Sequence, residues 1–185
     1  FGTIPRDFDN DGDFDFIEII THGDYPDQNT PTSRSLIVVN DGNRFNWGTQ
    51  YNCFSGRYTE DGNPKHHGDH HATWFDMDND GLADCALTEN GYRDNGLYVF
   101  RQKNDQTFEL VTTQAGLGSI NTADIPALNV NSLDYDMDGD EDLIVGSGDN
   151  RLFFYENITS NRNNWVKIIL KGKKGSSNVG AVGAI

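Results

Sequence analysis

Residues 7–15 read DFDNDGDFD, and the same pattern, D-x-D-x-D-G-x-x-D, returns as DMDNDGLAD at 76–84 and DYDMDGDED at 134–142. The starts lie 69 and then 58 residues apart, so the loop marks a repeated structural unit rather than a single local accident. What flanks the loops decides the fold class. FIEII, CALTE and LIVGS follow them, and HATWF and NVNSL precede the second and third. These are short, β-branched and aromatic runs of the kind that form strands. Further runs come later in each unit: SLIVVNDGNRF, GLYVFRQKNDQTF and RLFFYEN. The sequence therefore predicts an all-β chain of four-stranded antiparallel units, with the acidic loop between the first and second strands. In the second unit the strands are expected near 71–75, 84–88, 97–101 and 107–112. A lone four-stranded sheet has open edges and cannot bury both faces, whereas radial packing of such sheets as propeller blades can.

Extended by three residues, the first loop becomes DFDNDGDFDFIE, which also satisfies the calcium loop of an EF-hand with Glu18 in its last position. Context rejects that reading. Leu87 and Val145 stand where Glu18 would need counterparts, and no helical pattern flanks any copy. Glu18 is expected to be a strand residue.

The chemistry of the loop stands without helices. Calcium takes six to eight hard oxygen ligands at flexible geometry, and short carboxylates at positions 1, 3 and 5 converge on one point while Gly at 6 turns the backbone. The expected side-chain ligands are Asp7, Asp9, Asp11 and Asp15, then Asp76, Asp78, Asp80 and Asp84, then Asp134, Asp136, Asp138 and Asp142, with carbonyls from Asp13, Leu82 and Asp140. Two carboxylates about 4 Å apart repel by roughly 4 kcal/mol at an effective dielectric near 20. Crowding four of them calls for a cation. Magnesium fits less well, because it keeps water and a rigid octahedron. Three Ca²⁺ sites are therefore expected.

Composition narrows the partners. With 29 acidic and 14 basic residues among 185, the chain carries a formal charge of −15. Such a surface repels nucleic acid and anionic membranes. No apolar run approaches the roughly 18 residues of a membrane span. The aromatic content argues against disorder. Cys53 and Cys85 could pair or stay free, with Cys85 in the apolar run ADCAL reading as a buried thiol.

The units resemble FG-GAP/VCBS repeats, the calcium-loop blades of integrin α propellers and of many secreted bacterial proteins. They look most like the cartilage acidic protein type that carries an ASPIC/UnbV segment, through WFDMDNDGLAD, FELVTTQAGL and the stretch NNWVKIILKGKKGSSNVGAVGAI. The last is carried by Asn164, Trp165, Asn178, Gly180, Gly183 and Ala184, with Val179 where a basic residue often follows the Asn. The resemblance implies three blades over 1–160 (about 1–60, 61–120 and 121–160) and the truncated start of an ASPIC/UnbV-like segment at 161–185. Propellers of this kind usually have seven blades, so the chain reads as part of a longer protein whose first blade is clipped. The implied function is an extracellular or secreted calcium-binding propeller (periplasmic or cell-surface if bacterial) that serves adhesion or ligand binding.

Four histidines fall in KHHGDHHATWF: His66, His67, His70 and His71. The run precedes the second loop, which places it at the opposite end of the blade, beside the turns THGDYPDQNT with His22 and ENGYRDNG with Tyr92 and Arg93. That face is where a protein or carbohydrate ligand is expected. Three readings stay open: hydrogen bonds to loop carbonyls, a transition-metal site using these imidazoles with Asp69, or a polysaccharide lyase-like site with a His or Tyr base and Arg93 neutralising an acidic sugar. Asn157-Ile158-Thr159 is a glycosylation sequon, meaningful in a eukaryotic secretory setting. Trp47, Trp74 and Phe75 are expected to pack blades, and Lys171, Lys173 and Lys174 to form a solvated turn.

Overall fold

A computed structural model describes residues 3–19, 35–51, 53–57, 69–90, 95–117, 127–160 and 163–168. It is all-β: the described residues form eleven strands in three antiparallel sheets, with a 3₁₀ turn at Thr49–Tyr51. The first sheet is β1 (Thr3–Arg6), β2 (Asp15–Glu18), β3 (Leu36–Asn40) and β4 (Phe45–Trp47), in that order. The second is β5 (Asp69–Phe75), β6 (Asp84–Asn90), β7 (Asn95–Gln102) and β8 (Phe108–Leu110). The third holds β9 (Ala127–Leu133), β10 (Asp142–Ser147) and β11 (Leu152–Tyr155).

Each acidic loop joins the first two strands of its sheet, as the sequence pattern predicts. Glu18 ends β2 and pairs with Thr3, so it is a strand residue. The first sheet holds four strands, with Thr3–Arg6 paired to β2 over its four residues. One expectation is corrected. The third sheet has three strands among the described residues rather than four, with β11 at its edge. After Tyr155 the chain leaves the sheet: Asn157 is captured by the acidic loops, and no strand forms over 156–160 or 163–168.

The second sheet shows why the repeat needs neighbours. Alternate residues of a strand point to opposite faces. On β6, Cys85 and Leu87 enter one apolar cluster with Trp74 of the same sheet, which also holds Phe8, Ile17 and Ile37 from the first sheet and its loop. Ala86, between them, enters a second cluster with Val130, Leu143 and Val145 of the third sheet. The alternation repeats on β7, where Tyr98 and Phe100 face the first sheet while Leu97 and Val99 face the third. The middle sheet is thus apolar on both faces and is covered on both. At about 25 cal/mol per Å² of buried apolar surface, this double burial is the main force holding adjacent sheets together.

First strands lie side by side. The Trp74 indole N–H donates to the Ile4 carbonyl at 3.0 Å, joining β5 to β1, and the Ser132 hydroxyl donates to the Trp74 carbonyl at 2.9 Å, joining β9 to β5. Trp74 and Phe75 are buried, as expected of packing residues. Trp47 is not: it is 48% exposed, because β4 is an edge strand with one face open. Cys53 and Cys85 are both thiols buried in the first cluster, and burial pushes the Cys85 thiol well up.

Candidate metal centre

The three loops fold alike because their polar residues hydrogen-bond their own backbone. Gly12, Gly81 and Gly139 at position 6 take φ of +97°, +85° and +100°, a region open to glycine and strained for other residues. The residues two places earlier, Asn10, Asn79 and Met137, also have positive φ. In the first two loops, both oxygens of the position-1 aspartate accept backbone N–H groups: Asp7 from Asp11 and Gly12, Asp76 from Asp80 and Gly81, at 2.9–3.0 Å. The position-5 aspartates Asp11, Asp80 and Asp138 each accept the N–H two residues on with Oδ1, at 2.9, 2.9 and 3.2 Å.

The ninth position is the latch. Asp15, Asp84 and Asp142 are 0%, 1% and 3% exposed. Each accepts the N–H of loop position 2 with Oδ2 (Phe8, Met77, Tyr135) and, with Oδ1, the N–H at or just past the end of the third strand (Asn40, Gln102, Asn157), all within 2.8–3.1 Å. One carboxylate therefore ties together the loop and two strands of each sheet.

These constraints bring carboxylates together. In each loop the aspartates at positions 1, 3 and 9 present oxygens within 4.8 Å of one another: Asp7, Asp9 and Asp15; Asp76, Asp78 and Asp84; Asp134, Asp136 and Asp142. The position-5 aspartates lie outside these closest groups. Burial, followed by the charge of Asp11, raises the Asp9 carboxyl, and burial followed by Asp80 raises Asp78. Burial pushes Asp84 up to about 7. Asp9 Oδ1 and Asp78 Oδ1 occupy the same position, the third, in the first two loops, and both are buried without a hydrogen-bond partner; in the third loop the orphan sits instead at position 7, on Asp140 Oδ1. Buried polar atoms are normally satisfied, so a recurrent orphan beside other carboxylates is what a bound cation would complete. The donor set is all oxygen and fits Ca²⁺.

Neighbouring loops are joined by two repeated stitches that the aspartate pattern does not reveal. The buried Gln102 side chain donates from Nε2 to the Phe8 carbonyl of the first loop at 3.0 Å and accepts the Ala83 N–H at 2.7 Å. Asn157 repeats the first of these bonds one sheet later, donating to the Met77 carbonyl at 2.9 Å. In the other direction, Asn10 donates to the Gly81 carbonyl at 3.5 Å and Asn79 to the Gly139 carbonyl at 3.3 Å. Glu141 adds a bond by accepting the Asp76 N–H at 2.8 Å. The shared N-D-G of the first two loops was a visible signal for the asparagines; Gln102 and Asn157 carried none. The sequon asparagine is a structural latch, since its Nδ2 also approaches the Glu141 carbonyl at 3.3 Å.

The histidine run looks different. His70 is exposed, and His71 places Nδ1 3.0 Å from the Val130 carbonyl, a bond that joins β5 to β9. Asp69 is not available to a metal as expected. It is fully buried and takes both guanidinium nitrogens of Arg57, at 2.5 and 3.2 Å, with Glu89 3.6 Å from the same guanidinium. His22, His66, His67, Tyr92, Arg93 and the lysines Lys171, Lys173 and Lys174 lie outside the described residues.

No helix among the described residues is long and apolar enough to cross a membrane. Comparison with curated proteins gives no match, and neither does comparison with solved structures. Residues 76–145, from the first aspartate of the second loop into β10, match the family model described as FG-GAP-like repeat, which supports the FG-GAP family.

Proposed function

We propose that the chain is a calcium-binding portion of a β-propeller that works outside the cytosol as an adhesion or ligand-binding module, with one structural Ca²⁺ held in each acidic loop. The observation that carries this reading is the recurrent buried carboxylate oxygen without a partner, Asp9 Oδ1 and Asp78 Oδ1, inside a group of three aspartates. Asp7, Asp9, Asp11 and Asp15 with the Asp13 carbonyl would hold the first ion. Asp76, Asp78, Asp80 and Asp84 with the Leu82 carbonyl would hold the second, and Asp134, Asp136, Asp138 and Asp142 with the Asp140 carbonyl the third.

Bound calcium would neutralise the carboxylates and pin the turn that sets the register of the first two strands. Extracellular modules commonly bind with dissociation constants near 10⁻⁴–10⁻³ M, which matches a millimolar calcium setting and leaves the sites largely empty in cytosol. The FG-GAP-like match supports the adhesion or ligand-binding role, since such repeats are typical of extracellular proteins. The loop end is occupied by the stitches between neighbouring loops, so the opposite end is left for a protein or carbohydrate ligand. Residues from 163 would begin an ASPIC/UnbV-like segment, of which Trp165 already packs over Gly139.

Melting in EDTA and in millimolar Ca²⁺ tests the reading. Binding to the folded state at 100 times the dissociation constant adds about 2.7 kcal/mol per site, so chelation is expected to lower Tm by many degrees. Identical curves in the two conditions would refute structural calcium.

A further inference from the structure

The three cages share their aspartates but not their surroundings. The residue whose N–H bonds Oδ1 of the position-9 aspartate is Asn40, Gln102 or Asn157, and this fixes an equivalence between the sheets. One residue earlier stand Val39, Arg101 and Glu156. Val39 is buried in the apolar core and carries no charge, and Glu156 is exposed and adds an acid. Arg101 alone of the three brings a cation, and it turns that cation onto its own loop. Its Nη2 forms an ion pair with Asp78 Oδ2 and lies 3.6 Å from Asp80 Oδ2.

The choice of atoms matters. Asp80 Oδ1 is committed to the Leu82 N–H, so Oδ2 is the oxygen that Asp80 has left to offer a metal. That oxygen faces the guanidinium. Asp78, 9% exposed, gives Oδ2 to Arg101 and keeps Oδ1 as the buried atom without a partner. In the first loop the same bond holds Asp11 Oδ1 to the Asp13 N–H, but Val39 leaves the rest of that carboxylate uncontested.

We propose that Arg101 is a built-in competitor for calcium at the second cage, which makes this site the last of the three to fill. The inference rests on the calcium reading above and deepens it. Without metal, the guanidinium offsets the repulsion among Asp76, Asp78 and Asp80. When Ca²⁺ enters, Arg101 must release Asp80 and swing toward solvent, which its 46% exposed side chain can do. The second loop sits between the other two and is stitched to both through Asn10 and Asn79. Its filling would therefore set the calcium concentration at which the row of loops becomes fully rigid.

Calorimetric titration of Ca²⁺ into the EDTA-stripped full chain tests this. Wild type should show two tighter sites and one at least about tenfold weaker. Arg101→Gln should tighten the weak step by about tenfold or more, Arg101→Lys should keep it weak, and Asp76→Asn should delete it while leaving the tight pair. Melting supplies a second readout with opposite signs: Arg101→Gln lowers Tm in EDTA, where a counterion is lost, and widens the gain in Tm on adding calcium. Three equal sites in wild type, or an Arg101→Gln titration that is unchanged or weaker, would overturn the proposal while leaving structural calcium in place. A chain that takes up no calcium would overturn both.

Discussion

Replacing Gln102 by Ala removes the centre of the bond network that joins the first two loops. Gln102 is 1% exposed, so water has little access to what it leaves behind. Its Nε2 satisfies the Phe8 carbonyl at 3.0 Å and its Oε1 satisfies the Ala83 N–H at 2.7 Å. A buried polar group stripped of its partner costs about 1–3 kcal/mol. Two such groups, plus the cavity left by the truncated side chain, bring the expected loss to about 3–5 kcal/mol. That is a large share of the roughly 5–15 kcal/mol that stabilises an ordinary domain. Urea unfolding in EDTA measures it without interference from metal, with Lys103→Ala as an exposed neighbour that should stay within about 0.5 kcal/mol of wild type. Gln102→Glu adds a finer check. It can still accept from Ala83 but turns a carboxylate oxygen toward the Phe8 carbonyl, so it should cost more at pH 7 than at pH 4. A Gln102→Ala loss within 1 kcal/mol of Lys103→Ala would refute the view that these buried amide bonds hold the sheets together.

Other outcomes follow from the same geometry. The Asp84 carboxyl is pushed up to about 7 by burial, whereas an unfolded aspartate titrates near 3.8. Between those values the folded state holds a proton that the unfolded state has released, so the contribution of Asp84 to metal-free stability is greatest at the acid end and falls as pH rises from about 4 to 7. Saturating calcium should remove that slope, which melting curves across the range would show. Asn157→Ala should cost about 2 kcal/mol or more, because Nδ2 bonds the Met77 carbonyl and Oδ1 accepts the Thr159 N–H; a neutral change in urea unfolding would contradict its latch role. Trp74→Phe should cost about 1 kcal/mol or more through the lost bond to the Ile4 carbonyl, read by the same assay.

The local part of this architecture was legible in the sequence, and the lateral part was not. Strands expected at 71–75, 84–88 and 97–101 occur as Asp69–Phe75, Asp84–Asn90 and Asn95–Gln102, because alternating apolar residues and the glycine turns act within a few positions. The fourth is shorter than expected, Phe108–Leu110 against 107–112, since the chain turns at once and the Ala115 N–H bonds the Val111 carbonyl. The stitches escaped notice for a physical reason: Gln102 reaches a carbonyl 94 residues away, Asn157 one 80 away, and Asn10 one 71 away. No periodicity carries that information. The N-x-T triplet likewise gives no hint that the Asn157 amide bonds the Met77 and Glu141 carbonyls of the neighbouring loops. Asp69 adjoins the histidines in sequence, yet burial directs its carboxylate to Arg57.

Anomalous diffraction from crystals grown in millimolar calcium tests the central claim most directly. Three peaks are expected, one within reach of Asp7, Asp9 and Asp15, one of Asp76, Asp78 and Asp84, and one of Asp134, Asp136 and Asp142, with the second weakest. Ordered loops with no peak at any of the three groups would contradict it.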